Sequence, residues 1–323
     1  MTKPMAATNT SSIENKIVAV TGATGFIGST LIRQLTQAGW QVRALYRPKA
    51  GGNPPVINNV TWIAGDLNNA DALNALVADV NAVIHCAGAV RGVTRDDFDQ
   101  INEAGALHVA QAAAAQATPP RFLLISSLAA RMPDLSHYAG SKWRGELAIK
   151  NSHLRWTIFR PPAVYGPGDR ELLPLFQSMA KGLAPLPAGA NGRFSIIHVD
   201  DLAAALVHCL GQNAGDGKTF ELDDGHSGGY DWPRVIQIAQ TVLRDGGKIR
   251  RLSIPIGLLK LVALTNFYAA QLLRYAPMLT PGKIREITHS DWLCDNNDIT
   301  RITGWQPTCE LAQGLAGLFD KHH

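Results

Sequence analysis

Apolar residues in the first half of the chain fall in short runs separated by longer helical stretches. Lys16–Thr21, Gln41–Tyr46, Val60–Ala64, Ala82–His85, Phe122–Ser126 and Thr157–Arg160 read as buried strands. Phe26–Ala38, Ala70–Asp79, Asn102–Ala117 and Tyr138–Lys150 carry the wider spacing of helices with one apolar face. Strands alternating with helices predict an α/β fold: a doubly wound parallel (Rossmann) sheet with helices on both faces. After Arg160 the pattern breaks up, punctuated by Pro161, Pro162, Pro167, Pro174, Pro185 and Pro187. Ser195–Leu210 reads as a strand and helix that rejoin the sheet. From about Asp223 the chain is mostly helical and predicts a smaller C-terminal substrate lobe. The expected division is a disordered tail over 1–14 and a dinucleotide domain over 15–165, joined by 194–212. Residues 166–193 and 213–323 then form the lobe.

One long apolar stretch, Ile254 to Leu273, is interrupted by Lys260, Thr265, Asn266 and Gln271. These interruptions favour a helix folded against the substrate pocket over a stable membrane span. The chain has 323 residues, 46% hydrophobic and 17% charged, which is enough for a sizeable core. A net charge of +4 with no dense basic block gives no support to nucleic-acid binding. Cys86, Cys209, Cys294 and Cys309 form no C-x-x-C pair and read as thiols of a reducing compartment. The polar N-terminal residues lack an apolar signal core, so a cytoplasmic location is expected. His85, His198, Asp200 and His208 lack the spacing of a ligand triad, so no metal is expected.

The first strand runs into Thr21-Gly22-Ala23-Thr24-Gly25-Phe26-Ile27-Gly28, which opens a helix. Gly22 allows the tight turn, Gly25 the approach of a pyrophosphate, and Gly28 close helix–strand packing. The helix N-terminus then faces the anion. An NAD site normally carries an acidic residue about 20 positions further on. Here the second strand ends in Tyr46-Arg47-Pro48-Lys49, and no acidic residue occurs between Glu14 and Asp66. A guanidinium pairs with the 2′-phosphate of NADP, which a carboxylate would repel. Arg47 is the first candidate for that role, ahead of Lys49 and Arg43, and NADP is favoured over NAD. Asp66, followed by Leu67, either accepts from the adenine amino group or caps the next helix.

Tyr138 and Lys142 stand four apart and share one face of a predicted helix. An ammonium beside a tyrosine lowers a pKa otherwise too high for acid–base work at neutral pH. Ser127 ends the strand just upstream, where a hydroxyl can orient a carbonyl oxygen. Together the three make a proton-transfer group beside a hydride donor.

Read as a set, these residues resemble the extended short-chain dehydrogenase/reductases of the NAD-dependent epimerase/dehydratase superfamily. The likeness extends through His85-Cys86-Ala87-Gly88, Asn102, Arg160-Pro161-Pro162-Ala163-Val164-Tyr165-Gly166-Pro167-Gly168 and His198-Val199-Asp200-Asp201. It implies that Tyr138 is the general acid/base, that Lys142 holds the nicotinamide ribose, and that Ser127 polarises the reacting oxygen. It also implies cofactor contacts from Thr24, Phe26, Ile27, Asp66, Leu67, Ala87, Gly88, Asn102 and Pro161, with backbone near Ala163 and Val164 meeting the nicotinamide amide. The Arg-Ala-Leu-Tyr-Arg-Pro strand resembles the dihydroflavonol reductase and 3β-hydroxysteroid dehydrogenase-like branch. The expected function is an NADP(H)-dependent interconversion of ketone and secondary alcohol on a small, fairly apolar substrate. The alternatives are a nucleotide-sugar epimerase/dehydratase with tightly bound NAD(P), and a non-catalytic dinucleotide-binding accessory or sensor protein. Homodimerisation through two helices is the habit of the family.

Overall fold

A computed structural model describes residues 16–48, 54–273, 275–277 and 279–319. The expected tail over 1–14 and Lys49 lie outside the described residues.

The N-terminal half begins β1 (Ile17–Thr21), α1 (Phe26–Gln37), β2 (Gln41–Tyr46), β3 (Val60–Ala64), α2 (Ala70–Val77) and β4 (Ala82–His85). A helical run follows as α3 (Arg95–Asp99), a π-helical turn at Gln100–Ala104, and α4 (Gly105–Ala114). Then come β5 (Arg121–Ile125), a 3₁₀ turn at Leu128–Arg131, α5 (His137–Lys150) and β6 (Trp156–Arg160). Sheet order is β11-β6-β5-β4-β1-β2-β3, where β11 is Lys218–Glu221, and every pairing is parallel. The order reverses between β1 and β4, which places the ligand crevice at their carboxyl ends.

Alternation along β1 assigns the two faces. Val18 and Val20 pack on Leu31, Ile32 and Leu35 of α1 and on Leu202 and Leu206 further along the chain. Ala19 points the other way, into a cluster with Leu73, Leu76, Val109 and Ile149. The central strands β4 and β5 are buried along their whole length, as strands covered on both faces must be.

The remaining elements are β7 (Ala163–Tyr165), α6 (Leu173–Ala180), β8 (Leu183–Pro187), β9 (Arg193–Phe194), β10 (Ile196–His198) and α7 (Val199–Gln212). After β11 come α8 (Trp232–Arg244), β12 (Arg250–Ile254), α9 (Ile256–Leu273), α10 (Pro281–Thr288), β13 (Asp291–Trp292), α11 (Asn297–Thr303) and α12 (Leu311–Phe319). A third cluster built on Tyr165, Phe176, Tyr230, Val235, Leu311 and Leu315 forms the core of the lobe.

Two expectations are corrected. The strand at Ser195–Leu210 does not rejoin the main sheet. Ile196–His198 pairs with Ala163–Tyr165 in a separate two-stranded sheet, and only α7 returns, to pack beside α1. The seventh strand is instead β11, from the stretch assigned to the lobe, with Lys218 opposite Thr157. A buried arginine secures it: Arg121 donates to Cys209 O at 2.8 Å and to Ala214 O, and its Nε meets Asp216 at 2.7 Å. The helix expected from Asn102 also starts earlier, at Arg95, where Thr94 and Asp97 form a reciprocal capping box.

Candidate functional site: a dinucleotide cradle beside Ser127, Tyr138 and Lys142

The cradle is shaped by what is missing from its glycines. Gly22 sits at φ +68°, and a Cβ there would come within 2.6 Å of Ala87 N. A Cβ on Gly28 would come within 2.1 Å of Gly22 O, so α1 closes onto the turn only with glycine there. Gly25 caps α1 with no side-chain bond, and the first turn of the helix has no acidic residue. Its free N–H groups and dipole therefore face outward, beside exposed Thr24 and Gly25. Phe26 and Ile27 are half-buried behind them. This arrangement fits a pyrophosphate. Ala87 and exposed Gly88 continue the floor, and a Cβ on Gly88 would lie 3.6 Å from Lys142 Nζ. The cradle thus runs from the open helix end to the lysine.

At the end of β2, Arg47 is exposed and makes no ion pair among the described residues. Arg43 is otherwise engaged. Its Nη1 caps the end of α2 by donating to the carbonyls of Ala75 (3.0 Å), Leu76 (3.2 Å) and Ala78 (2.6 Å). Asp66 does not cap α2 either, because that cap is Asn69, which accepts from Ala72 N at 2.9 Å. Asp66 accepts from Asn68 N at 2.8 Å, while Leu67 is buried and its carbonyl meets His108 Nδ1 at 2.9 Å.

The Ser-Tyr-Lys group assembles from two elements. β5 ends at Ile125, and Ser127 follows in extended conformation to cap the 3₁₀ turn. Its neighbour Ser126 faces away and donates to buried Glu146 at 2.6 Å. Ser136 caps α5 by accepting from Ala139 N at 2.9 Å, which sets Tyr138 in the first turn. Tyr138 is half-buried, lies edge-on to Phe98 at 6.1 Å and is hydrogen-bonded to Ser127. One turn on, Lys142 is buried and donates from Nζ to Ile125 O at 2.8 Å. Burial lowers its pKa to about 8.

Asn102 joins these parts. Its amide exchanges bonds with the Ala89 backbone at 2.8 and 3.0 Å and donates to Ser141 Oγ at 2.8 Å. Ser141 in turn donates to Tyr138 O at 2.8 Å. His85, behind Lys142, bonds Thr21 at 2.8 Å, and burial lowers its pKa to about 3, so it is neutral. Pro161 is buried and accepts from Leu128 N at 2.8 Å through its carbonyl. Ala163 is exposed and Val164 half-buried on β7, whose partner β10 leads to His198. His198 is an N-cap, accepting from Asp200 N at 3.3 Å.

One part of the site was not anticipated. Burial raises the Tyr138 pKa above the usual tyrosine value, and the Ser127 bond and the ammonium of Lys283 oppose it. That second role is the one expected of Lys142 from its spacing. Lys142 donates to Ile125 O, and Lys283, which lines the same pocket as Tyr138, acts on the phenol by its charge. Lys283 pairs with Glu286 at 3.1 Å, and buried Glu286 accepts from the Ser136 hydroxyl. Burial lowers the Lys283 pKa, but the Glu286 carboxylate and Tyr138 outweigh it and raise the value overall. Ser136 and Glu286 are 150 positions apart, so no local spacing announces the contact. The one local signal is Thr280-Pro281, which opens α10 with a capping threonine.

Tyr138, Phe98, Lys283 and Glu286 line a pocket of about 320 Å³ with Leu264, Phe267 and Tyr268 of α9. Its walls are largely apolar, with polar groups gathered beside the Tyr138 hydroxyl. The arrangement can pass a proton between Tyr138 and an oxygen of a bound molecule.

Residues 18–222 match the NAD dependent epimerase/dehydratase family. The chain is 39% identical over 282 residues to ceramide reductase of Caulobacter vibrioides, covering 85% of each protein. It is 28% identical over 253 residues to the mitochondrial NADH dehydrogenase [ubiquinone] 1 alpha subcomplex subunit 9 of Arabidopsis thaliana, covering 76% of this chain and 62% of the relative. UDP-glucuronic acid 4-epimerase from Bacillus cereus, solved in complex with NAD, superposes with a TM-score of 0.72 at 19% identity, covering 94% of this chain and 97% of that one. That likeness is one of fold. The glycine cradle and the sheet it ends on, together with these matches, lead to one conclusion: the chain belongs to the NAD dependent epimerase/dehydratase family, within the extended short-chain dehydrogenase/reductases, whose site chemistry is of the oxidoreductase or epimerase type.

Proposed function

We propose that this protein is an NADP(H)-dependent reductase that interconverts a ketone and a secondary alcohol on an apolar, ceramide-like lipid. The observation that carries the reading is Tyr138 at the wall of a largely apolar pocket, bonded to Ser127 and one turn from Lys142. The name of the Caulobacter relative supports a lipid over a merely small apolar molecule. At about 320 Å³ the pocket lies at the low end for small-molecule sites. It would take the reacting end of a lipid and leave the chains outside.

The cradle would hold a dinucleotide, whose nicotinamide would supply the hydride. Tyr138 donates its proton to the carbonyl oxygen, and the Ser127 hydroxyl donates a hydrogen bond to the same oxygen. Lys142, held toward the cradle by Ile125 O, grips ribose hydroxyls. Asn102 fixes the first turn of α5 through Ser141, so Tyr138 is positioned before substrate arrives. Arg47 selects the 2′-phosphate of NADP.

The test is cofactor consumption by purified protein with long-chain keto-lipids and short ketones, with NADPH and NADH in parallel. Turnover with NADPH and keto-lipid is expected. The epimerase reading has support from structural neighbours such as the NAD-bound 4-epimerase. It predicts a cofactor that resists dialysis and no net consumption. The accessory-protein reading has support from the Arabidopsis relative; it predicts dinucleotide binding without turnover.

A further inference from the structure

We propose that the outer face of α9 docks this protein on an anionic lipid bilayer. The helix is apolar nearly all round, although only one side of it meets protein. Ala263 and Ala270 are fully covered, whereas Leu258 (52%), Leu261 (59%) and Tyr268 (65%) remain exposed. At helical spacing Leu258, Leu261, Leu264 and Tyr268 share one exposed face, whose Leu264 and Tyr268 edge borders the pocket. A continuous exposed apolar face of this kind marks an interaction surface.

Charge selects the occupant. Between Asp245 and Glu286 the chain carries seven basic residues and no acidic one. Arg250 and Arg251 are exposed on β12 immediately before the helix, and Lys260 is exposed on the helix itself. Apolar side chains flanked by lysine and arginine suit a surface that is oily beneath and negative on top. A second copy of this chain would bring the same basic residues face to face, and like charges oppose that pairing. No helix among the described residues is long and apolar enough to cross a membrane. Contact is therefore by one face, with α9 lying along the bilayer.

The surface adjoins the pocket. Leu264 and Tyr268 belong both to the exposed face and to the lining beside Tyr138. A lipid could then enter sideways, its chains staying in the bilayer while its reacting end meets Tyr138. This entry route rests on the proposed function; the docking does not.

Sedimentation with phosphatidylglycerol vesicles tests it, with phosphatidylcholine vesicles alongside. The full chain should bind the anionic vesicles at least tenfold more tightly, and the binding should weaken as salt rises. Leu258→Asp with Leu261→Asp, neither in the pocket lining, should reduce binding at least tenfold without changing dinucleotide affinity. Lys260→Glu with Arg251→Glu should weaken binding to the anionic vesicles while leaving thermal unfolding unchanged, a control against misfolding of the first pair. Failure of the wild type to sediment, or undiminished binding by both variants, overturns the proposal. A homodimer that the leucine variant splits into monomers also overturns it, since the face would then be covered by a second copy. Vesicle binding by a protein that reduces no ketone leaves the docking standing and removes the proposed function.

Discussion

At Tyr138 four influences meet: burial and the Glu286 carboxylate raise its pKa, while a hydrogen bond from Ser127 and the ammonium of Lys283 lower it. Burial prevails, so the phenol keeps its proton through neutral pH. That suits a group that donates a proton during reduction. Lys142, with a value near 8, is charged below that pH and loses its charge above it. Ketone reduction should therefore hold steady through neutral pH and decline as pH rises past about 8. Alcohol oxidation, which needs the deprotonated phenol, should instead gain as the medium becomes alkaline. Initial rates in both directions across pH decide this, and a reduction rate that climbs above that value contradicts it. Arg47→Ala should weaken NADPH binding about 10- to 100-fold and leave NADH binding alone, the magnitude of a lost charge-assisted contact. Titration of cofactor fluorescence measures both; equal losses for the two cofactors would remove Arg47 from phosphate recognition. The Arg47 candidacy was legible because a missing carboxylate at the end of β2 is a local signal. Lys283 was not, because its meeting with Tyr138 depends on how α10 docks.

Between elements, the buried carboxylate of Glu146 ties α5 to β6. Arg160 grips it twice at 2.8 Å, and Ser126 donates to it. Burial raises the Glu146 pKa, but the Arg160 guanidinium outweighs it and holds the value below the usual glutamate range. A depressed carboxylate adds stability above its unfolded value, near 4.3, and that stability is lost as pH falls through the folded value. Glu146→Ala should cost about 1.5–3 kcal/mol, the size of a lost hydrogen bond to a charged group, with Arg160 left to its weaker pairing with Glu221 at 3.6 Å. Urea unfolding at neutral pH measures this; a loss below about 1 kcal/mol, the size of an exposed pair, would contradict it. Elements with short-range signatures were the readable ones. The strands β1 to β6 and helices α1, α2 and α5 follow local periodicity and caps. The return strand did not, since Ile196–His198 is short and buried and reads as a sheet strand, whereas Lys218–Glu221 is Lys-Thr-Phe-Glu with a single apolar residue. Buried Arg121 and its partners in the α7–β11 turn decide which one completes the sheet.

For the whole molecule, the sheet brings the α1 N-terminus, Lys142 and Tyr138 to one edge, and the lobe supplies α9 and α10 as the opposite wall. The fold class was readable because alternating strands and helices admit few topologies. The pocket was not, because its outer wall comes from segments joined only in three dimensions. A shallow groove between α4 and α5, lined by Leu107, Arg144 and Leu147, lies on the other side of those helices from the sheet. With half-exposed Trp143 it is the surface through which we expect two copies to pair. Sedimentation velocity checks this: a dimeric wild type that Leu107→Asp with Leu147→Asp turns into a monomer is expected, and a monomeric wild type or an undisturbed dimer contradicts it.

The central claim is that Tyr138 delivers the proton for reduction of a lipid ketone. The most direct measurement is NADPH oxidation with a long-chain keto-lipid by wild-type protein and Tyr138→Phe, with cofactor affinity measured on both. The account predicts turnover by the wild type, a loss of about 10²- to 10⁴-fold in the variant, and equal NADPH affinity. Wild-type turnover that survives in Tyr138→Phe within a few-fold would contradict it.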